Sequence, residues 1–493
     1  MKLTSANLHF FPNSLTDQNG VEFGLVQTDN GERLVVLAES PLSAFEGERS
    51  EFSGQTMILG ERSATNLNAL RSHLPWLKPQ LIGLATSAGM GDRLGLATPG
   101  HVRAARAMGG KVTPVFTQQS IREMARTGRT PQQVMDDATW GVFTEGWHST
   151  HGADADHLKT PADIEACLAY GYTFYTIDPG AYVDNRAESA SLGELQALAA
   201  ALPAEMDVRA SGLWGKSFDI EGLAIHFDEP VLLKAAVKYG QAVAHVAGMY
   251  RYLVQAAGTR PYELEVSVDE TDAPTTHAEH IYIASELKRL GVTWVSLAPR
   301  YVGRFEKGVD YIGSLAEFEA DFAGHAAIAR WFGPYKLSLH SGSDKFSIYA
   351  TATRLSRGMV HLKTAGTSYL EALRTIAYHD PAFFREIYTF ARQRYAIDRL
   401  SYHVSAELSN APLPEVVRDW PALLDQFDAR EIFHVTFGSV LTEKTEAGGW
   451  RFYDRFMDFM QGNKEAYASN LEKHFIRHLA PFAAFAGDRD QLS

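Results

Sequence analysis

Residues 262–270 read YELEVSVDE. Leu264, Val266 and Val268 fall on one face of an extended chain, and Glu265, Ser267 and Asp269 on the other. Two environments suit this alternation. One is an antiparallel edge strand with its polar face in water. The other is a strand lining an enclosed volume, where a desolvated carboxylate costs several kcal/mol unless it is paired, hydrogen-bonded or bound to a cation. The flanking segments favour the second.

From about residue 80, short apolar segments alternate with amphipathic ones. Eight read as strands: 81–86 (LIGLAT), 112–116 (VTPVF), 152–158 (GADADHL), 172–178 (YTFYTID), 262–269 (YELEVSVD), 293–298 (TWVSLA), 336–341 (KLSLHS) and 359–364 (MVHLKT). Between them lie helical runs such as PGHVRAARAM, PADIEACLAY, AEHIYIASELKRLG and SLAEFEADFAGHAAIARWF. Several open on Ser, Thr or Pro and close on Gly, as helix ends prefer. Strand and helix in alternation imply parallel pairing, and eight units predict an α/β protein with a closed (β/α)8 TIM-like barrel. A doubly wound open sheet is the alternative.

The expected organisation is a β-rich segment over 1–76, the barrel over 77–370 with an insertion at 179–260, and a mostly helical extension over 371–493. The first segment carries a hairpin around Asp29, Asn30 and Gly31. The insertion would pass over one end of the barrel. The glycines of SAGMGDRLG (87–95) lack dinucleotide or phosphate-loop spacing and read as turn formers.

Inside a barrel, side chains alternate between lumen and helices, and sites collect at the C-terminal strand ends. Placing aliphatic faces outward puts Glu265, Ser267 and Asp269 inside from the fifth strand, and Lys336, Ser338 and His340 from the seventh. His361 and Lys363 come from the eighth, His157 and Lys159 from the third, and Asp178 ends the fourth. Carboxylate with imidazole suits zinc, manganese, nickel or cobalt better than calcium. Glu265, Asp269, His340 and His361 are the candidate metal ligands, with Glu270 in reserve. Arg300, Arg304 and Lys307 follow the sixth strand, and Ser341, Ser343 and Lys345 the seventh. Arg suits bidentate carboxylate recognition, although solvated loop charges paired with Glu306 or Asp310 fit the same pattern.

The 493 residues are 45% hydrophobic, with 46 Lys and Arg against 59 Asp and Glu and a net charge of -13. An acidic chain of this kind disfavours nucleic-acid and anionic-membrane binding. A lone cysteine, Cys167, permits no intrachain disulfide and reads as a buried small apolar group. Neither a signal-peptide pattern nor an apolar run of bilayer-spanning length is visible, so cytoplasmic residence is the expectation, with oligomerisation left open.

LEVSVDETDAPT, SLAPRYVGRFEKGVDY and KLSLHSGSDKFSIY, in this order, resemble the bacterial tagaturonate epimerase family, and the likeness extends into FHVTFGSVL at 433–441. The resemblance implies a TIM-like barrel, a divalent metal and interconversion of D-tagaturonate with D-fructuronate at C4. That carbon lies β to the ketone, so its hydrogen is not acidified. The expected route is therefore a retro-aldol opening of the C3–C4 bond, with a metal at the C2 carbonyl and C3 hydroxyl, rotation of the aldehyde and re-closure. Asp178, Lys363 or His157 would carry the C4 hydroxyl proton. Arg300, Arg304, Ser341, Ser343 and Lys159 would hold the anionic sugar acid. A metal-dependent aldolase of a keto sugar acid and a noncatalytic sugar-acid-binding barrel are the competing readings.

Overall fold

A computed structural model describes residues 1–29, 31–40 and 42–488, with 486–488 described by backbone alone. Eight parallel strands form the barrel: β1 (Ser87–Gly89), β2 (Thr113–Ser120), β3 (Gly152–Leu158), β4 (Phe174–Ile177), β5 (Glu263–Val268), β6 (Ser296–Pro299), β7 (Lys336–Leu339) and β8 (Val360–Lys363). They close in the order β5-β6-β7-β8-β1-β2-β3-β4. Leu264, Val266 and Val268 are buried against the surrounding helices, and Glu265 and Ser267 are buried on the other face, so the alternation of 262–270 does set the inner and outer faces.

The first strand is displaced from its expected place. LIGLAT is a loop, and β1 is the Ser87–Gly89 segment that reads as turn-forming in sequence. The cause is Glu263 at the base of β5, whose carboxylate accepts hydrogen bonds from the backbone N–H groups of Ile82, at 2.9 Å, and Gly83. Ile82 then packs with Val115 and Phe174 in a small apolar cluster. The apolar character of LIGLAT therefore serves to plug the lower mouth.

The main helix of the insertion lies beside the barrel rather than over one end. This helix, Glu229–Ala257, packs against Pro161–Leu168 and His277–Arg289, taking the outer position between β4 and β5. The hairpin of Ser217–Ile220 with Leu223–His226 rests on the end of helix Leu315–Phe332, through Phe218 against Phe332 and Glu221 paired with Arg330 at 2.6 Å. That helix end leads into the start of β7, so the hairpin sits at the lower end of the barrel.

The N-terminal segment is a five-stranded antiparallel sheet. Its Val21–Thr28 and Gly31–Ala38 strands pair with Thr28 opposite Gly31, as the hairpin expectation requires; Asn30 lies outside the described residues. Cys167 is buried. Beyond β8 the chain is mostly helical, and FHVTFGSVL spans two short helices, Phe427–Val435 and Phe437–Thr442. The last helix, Lys464–Asp488, packs on Thr98–Ala107, Phe346–Leu355 and Thr367–His379. Among the described residues, no helix is long and apolar enough to cross a membrane.

Closure between β8 and β1 brings two backbones together above the strands. A Cβ at Gly91 would stand 2.7 Å from Ala365 Cα and 2.8 Å from its carbonyl oxygen. Main chain cannot step aside as a side chain can, so Gly91→Ala is expected to destabilise by about 1–3 kcal/mol, seen as a lower thermal midpoint by circular dichroism.

Candidate active site

Lys363, at the end of β8, is 3% exposed and reaches across the lumen into a ring of acids. Its Nζ lies 2.7 Å from Asp154 Oδ2, 2.7 Å from Asp156 Oδ1 and 2.8 Å from Glu265 Oε1, and donates to Thr176 Oγ1 at 2.6 Å. Burial alone would neutralise these acids. At Glu265 the opposing pull of Lys363 and His340 wins, holding its carboxyl well below the usual range. At Asp154 burial wins over Lys363, and the carboxyl is pushed up to about 7. Lys363 itself is held well above the usual ammonium range, because the charges of Asp154, Asp156 and Glu265 outweigh its desolvation.

Above this ring stand two imidazoles, each backed by a carboxylate. His340 Nε2 is 2.6 Å from Glu265 Oε1, and its Nδ1 is 3.1 Å from Asp269 Oδ1. His157 Nδ1 is 2.9 Å from Asp156 Oδ1, and its Nε2 is 4.0 Å from Glu270 Oε1. The outward-facing nitrogens converge with Asp269, so His157, Asp269 and His340 offer three ligand atoms within 4.8 Å of one another. A carboxylate behind each imidazole fixes its tautomer and raises its basicity, the arrangement metal-ligating histidines show. Burial lowers the pKa of His340, but Asp269 and Glu265 overcome it and lift the ring to about 10. His157 is likewise raised by Asp156 against its burial. Two imidazoles so eager for positive charge fit a site built for a cation.

Of the four sequence-derived ligands, Asp269 and His340 therefore meet, and His157, expected as a base, joins them. Glu265 stands behind His340, in the supporting position. His361 is set deeper. Ser87 Oγ receives a hydrogen bond from Lys336 Nζ at 3.0 Å and is hydrogen-bonded to His361 Nδ1 at 2.9 Å. Burial keeps this ring neutral, and it lies outside the group of ligand atoms that converge with Asp269.

The third strand explains why parity misplaced its residues. β3 and β4 shift register between Ala155 and Leu158, and His157 adopts a left-handed backbone with φ of 55°. Asp154 and Asp156 follow the alternation into the lumen, and the irregularity brings His157 in beside them. Lys159 is carried past the site and pairs with Asp178 at 3.1 Å. Asp178, expected as a proton carrier, instead receives the Gly180 N–H at 2.8 Å and closes the turn after β4.

A cavity of about 570 Å3, measured with its open mouth, rises from Lys363, Asp156, His157 and His340. One wall is cationic, with Arg93, Arg122, Arg126 and Lys307. Arg122 pairs with Glu270 at 2.9 Å, Arg126 donates to the Tyr402 hydroxyl, and Lys307 donates to Ser341 Oγ at 2.5 Å. Ser341 and Ser343 line the cavity, whereas Arg300 and Arg304 do not. The loop after β6 folds back with Arg304 bridged to Ile312, which turns Arg304 outward to Glu306 at 3.3 Å and delivers Lys307 in its place. Arg122 and Arg126 sit one turn apart on helix Ile121–Thr127, capped by Ser120, the last residue of β2. That strand–cap–Arg pattern was readable in sequence; Tyr402 and His434, contributed by the helical extension, carried no such signal.

The family model described as tagaturonate epimerase matches residues 11–482. A Thermotoga maritima protein named tagaturonate/fructuronate epimerase is 42% identical over 474 residues, 95% of this chain and 96% of that protein. The native crystal structure of fructuronate-tagaturonate epimerase UxaE from Cohnella laeviribosi is 37% identical, with a TM-score of 0.91 over 98% of each chain. A glycerol complex of the same protein gives the same TM-score and identity over 97% of each chain.

Two outcomes test this electrostatic design. Because His340 is raised from 6.5 to about 10 in the folded chain, its stabilisation is complete below pH 6.5 and is lost as pH rises toward 10. Metal-free protein should show its thermal midpoint falling over that window, and His340→Gln should flatten the fall. Lys363→Met strands buried acids and should cost about 3–5 kcal/mol. Adding Asp154→Asn should recover part of the melting temperature.

Proposed function

The chain belongs to the tagaturonate epimerase family, and from that premise we propose that it interconverts D-tagaturonate and D-fructuronate at C4. The observation that carries this reading is the opposition of an acid-and-imidazole floor to a cationic wall across one cavity. A six-carbon keto acid has matching ends. Its carboxylate suits Arg122, Arg126 and Lys307, and its carbonyl and hydroxyl oxygens suit the floor. His157, Asp269 and His340 would hold a divalent cation, with Glu270 beside them. Such a cation supplies Lewis acidity toward the carbonyl and neighbouring hydroxyl.

The C4 hydrogen is not acidic, so inversion is assigned to cleavage and re-formation of the C3–C4 bond. The C4 hydroxyl loses its proton as that bond opens, giving an aldehyde on one fragment and an enediolate on the other. Rotation presents the opposite aldehyde face, the bond re-forms and the proton returns. Lys363 and Asp154 hold and move this proton. Asp154, whose carboxyl is pushed up to about 7, takes the proton in its ionised form: Lys363 passes one of its own protons across their 2.7 Å contact as it receives the hydroxyl proton, so it stays an ammonium throughout. The arginine wall keeps the anionic fragment from leaving.

Purified, metal-loaded protein incubated with fructuronate and followed by NMR should yield tagaturonate alone. Accumulating fragments would mark an aldolase, and no conversion with any of zinc, manganese, nickel or cobalt a binding module. In D2O the product should carry no deuterium at C4; label at that carbon would replace bond cleavage by deprotonation. Arg122→Ala removes a charge-assisted contact and should raise KM by about 10- to 100-fold, with a smaller change in kcat.

A further inference from the structure

Outside the barrel, between the helices that follow β5 and β6, a second cluster of ligand-type side chains meets. His277 opens helix His277–Arg289 behind its N-cap Thr276. Asp321 and His325 lie one turn apart on helix Leu315–Phe332 and so share a face. His277 Nε2 is 3.7 Å and His325 Nε2 is 3.6 Å from Asp321 Oδ1, and the three ligand atoms all fall within 4.8 Å of one another. Zinc with bonds of about 2.0–2.1 Å keeps tetrahedral ligand atoms about 3.3 Å apart, so only a small inward movement is needed.

The partners of each group leave these atoms available. Asp321 Oδ2 accepts from the Val302 N–H at 3.1 Å, which leaves Oδ1 to face the imidazoles. His325 is fully buried, and its Nε2 has no hydrogen-bond partner. Its Nδ1 is 2.9 Å from His280 Nδ1, and His280 Nε2 is 2.8 Å from the Tyr335 hydroxyl. When that chain donates from His325 to His280 to Tyr335, the His325 Nε2 lone pair points at Asp321. Burial keeps both rings in the neutral form, His280 at about 3 and His325 well below its usual value. His277 is 23% exposed, which gives an ion and a completing water a way in. Its Nε2 now contacts the Asp321 carbonyl at 2.9 Å and would exchange that contact for the ion.

Another buried group, Asp344 with His474 and His478, differs instructively. His478 Nε2 accepts the Asp344 N–H at 3.0 Å, while Thr367 and Arg430 satisfy Asp344 Oδ2 at 2.7 and 3.1 Å. The remaining oxygen, Asp344 Oδ1, is already paired with His474 Nε2 at 2.9 Å, closer than any imidazole stands to Asp321 Oδ1.

We propose that His277, Asp321 and His325 form a second site for a zinc-class transition metal, separate from the barrel mouth. Its consequence is mechanical. It ties the first turn of helix His277–Arg289 to helix Leu315–Phe332, and so anchors the far end of the loop that leaves β5 with Asp269 and Glu270.

The test uses full-length protein stripped by chelator and titrated with Co2+ alone, read by visible absorption and by metal analysis after gel filtration. His325→Ala and Asp321→Asn, each checked for wild-type far-ultraviolet circular dichroism, should each bind one cobalt fewer per chain than wild type. His280→Phe removes the group that orients His325 and should weaken this one equivalent by about 10- to 100-fold. Equal cobalt stoichiometry in wild type and in whichever of His325→Ala and Asp321→Asn folds would overturn the proposal. His340→Gln, which removes a ligand at the barrel mouth, should keep the equivalent that His325→Ala loses, so failure here is distinguishable from failure of the reading of that site.

Discussion

The ammonium of Lys363 among Asp154, Asp156 and Glu265 is the interaction on which the rest of the lumen depends. Each buried ion carries a desolvation penalty of several kcal/mol, which mutual attraction repays only when geometry is good and remaining lone pairs are engaged. Two strands, β3 and β5, supply the acids and β8 supplies the cation, so the arrangement exists only when the barrel is closed. One ammonium cannot neutralise three carboxylates. Asp154, pushed up to about 7, is therefore divided between its protonated and ionised forms near neutral pH, and Glu265 turns its charge toward His340 as well.

The same shortage of positive charge propagates upward. His340 and His157 are each pressed between acids, and in the absence of a metal both rings hold a proton more tightly than a free imidazole does. A proton and a divalent cation compete for such nitrogens, since an imidazole must give up the proton to bind metal. The floor of the cavity is thus selective for cationic occupants, while its wall of Arg93, Arg122, Arg126 and Lys307 selects anions. A molecule bearing hydroxyls at one end and a carboxylate at the other can satisfy both only in one orientation.

Sequence carried the barrel and part of the floor because strand alternation is a two-residue rule that needs no neighbours. Glu265, Ser267, Lys336, His340, His361 and Lys363 all fall on the predicted side. The rule fails where the backbone departs from it. At His157 a left-handed residue breaks parity, and at Ser87–Gly89 the strand is chosen by hydrogen bonding while the more apolar LIGLAT is drawn below to Glu263. Loop cations failed for a different reason. Arg304 and Lys307 are three residues apart and look equivalent in sequence, and only the bridge between Arg304 and Ile312 decides which faces the cavity. Tyr402 and His434 lie far along the chain from the strands they cover, a separation that no local pattern encodes.

Those late residues bear on why an epimerase need not behave as an aldolase. On the proposed route both chemistries open the same bond; they differ in whether the fragments outlive the enzyme's grip. Tyr402 braces Arg126 through its hydroxyl and its ring face, 4.7 Å from the guanidinium, and Phe437 lies 3.6 Å from the Arg93 guanidinium. The helical extension thereby stiffens the cationic wall that, on this reading, retains the carboxylated aldehyde. The floor meanwhile needs freedom for only one rotation. A rigid grip on the carboxylate combined with a loose fit around the aldehyde carbon favours re-addition over escape, and that division of labour places the specificity of the reaction in the extension as much as in the barrel.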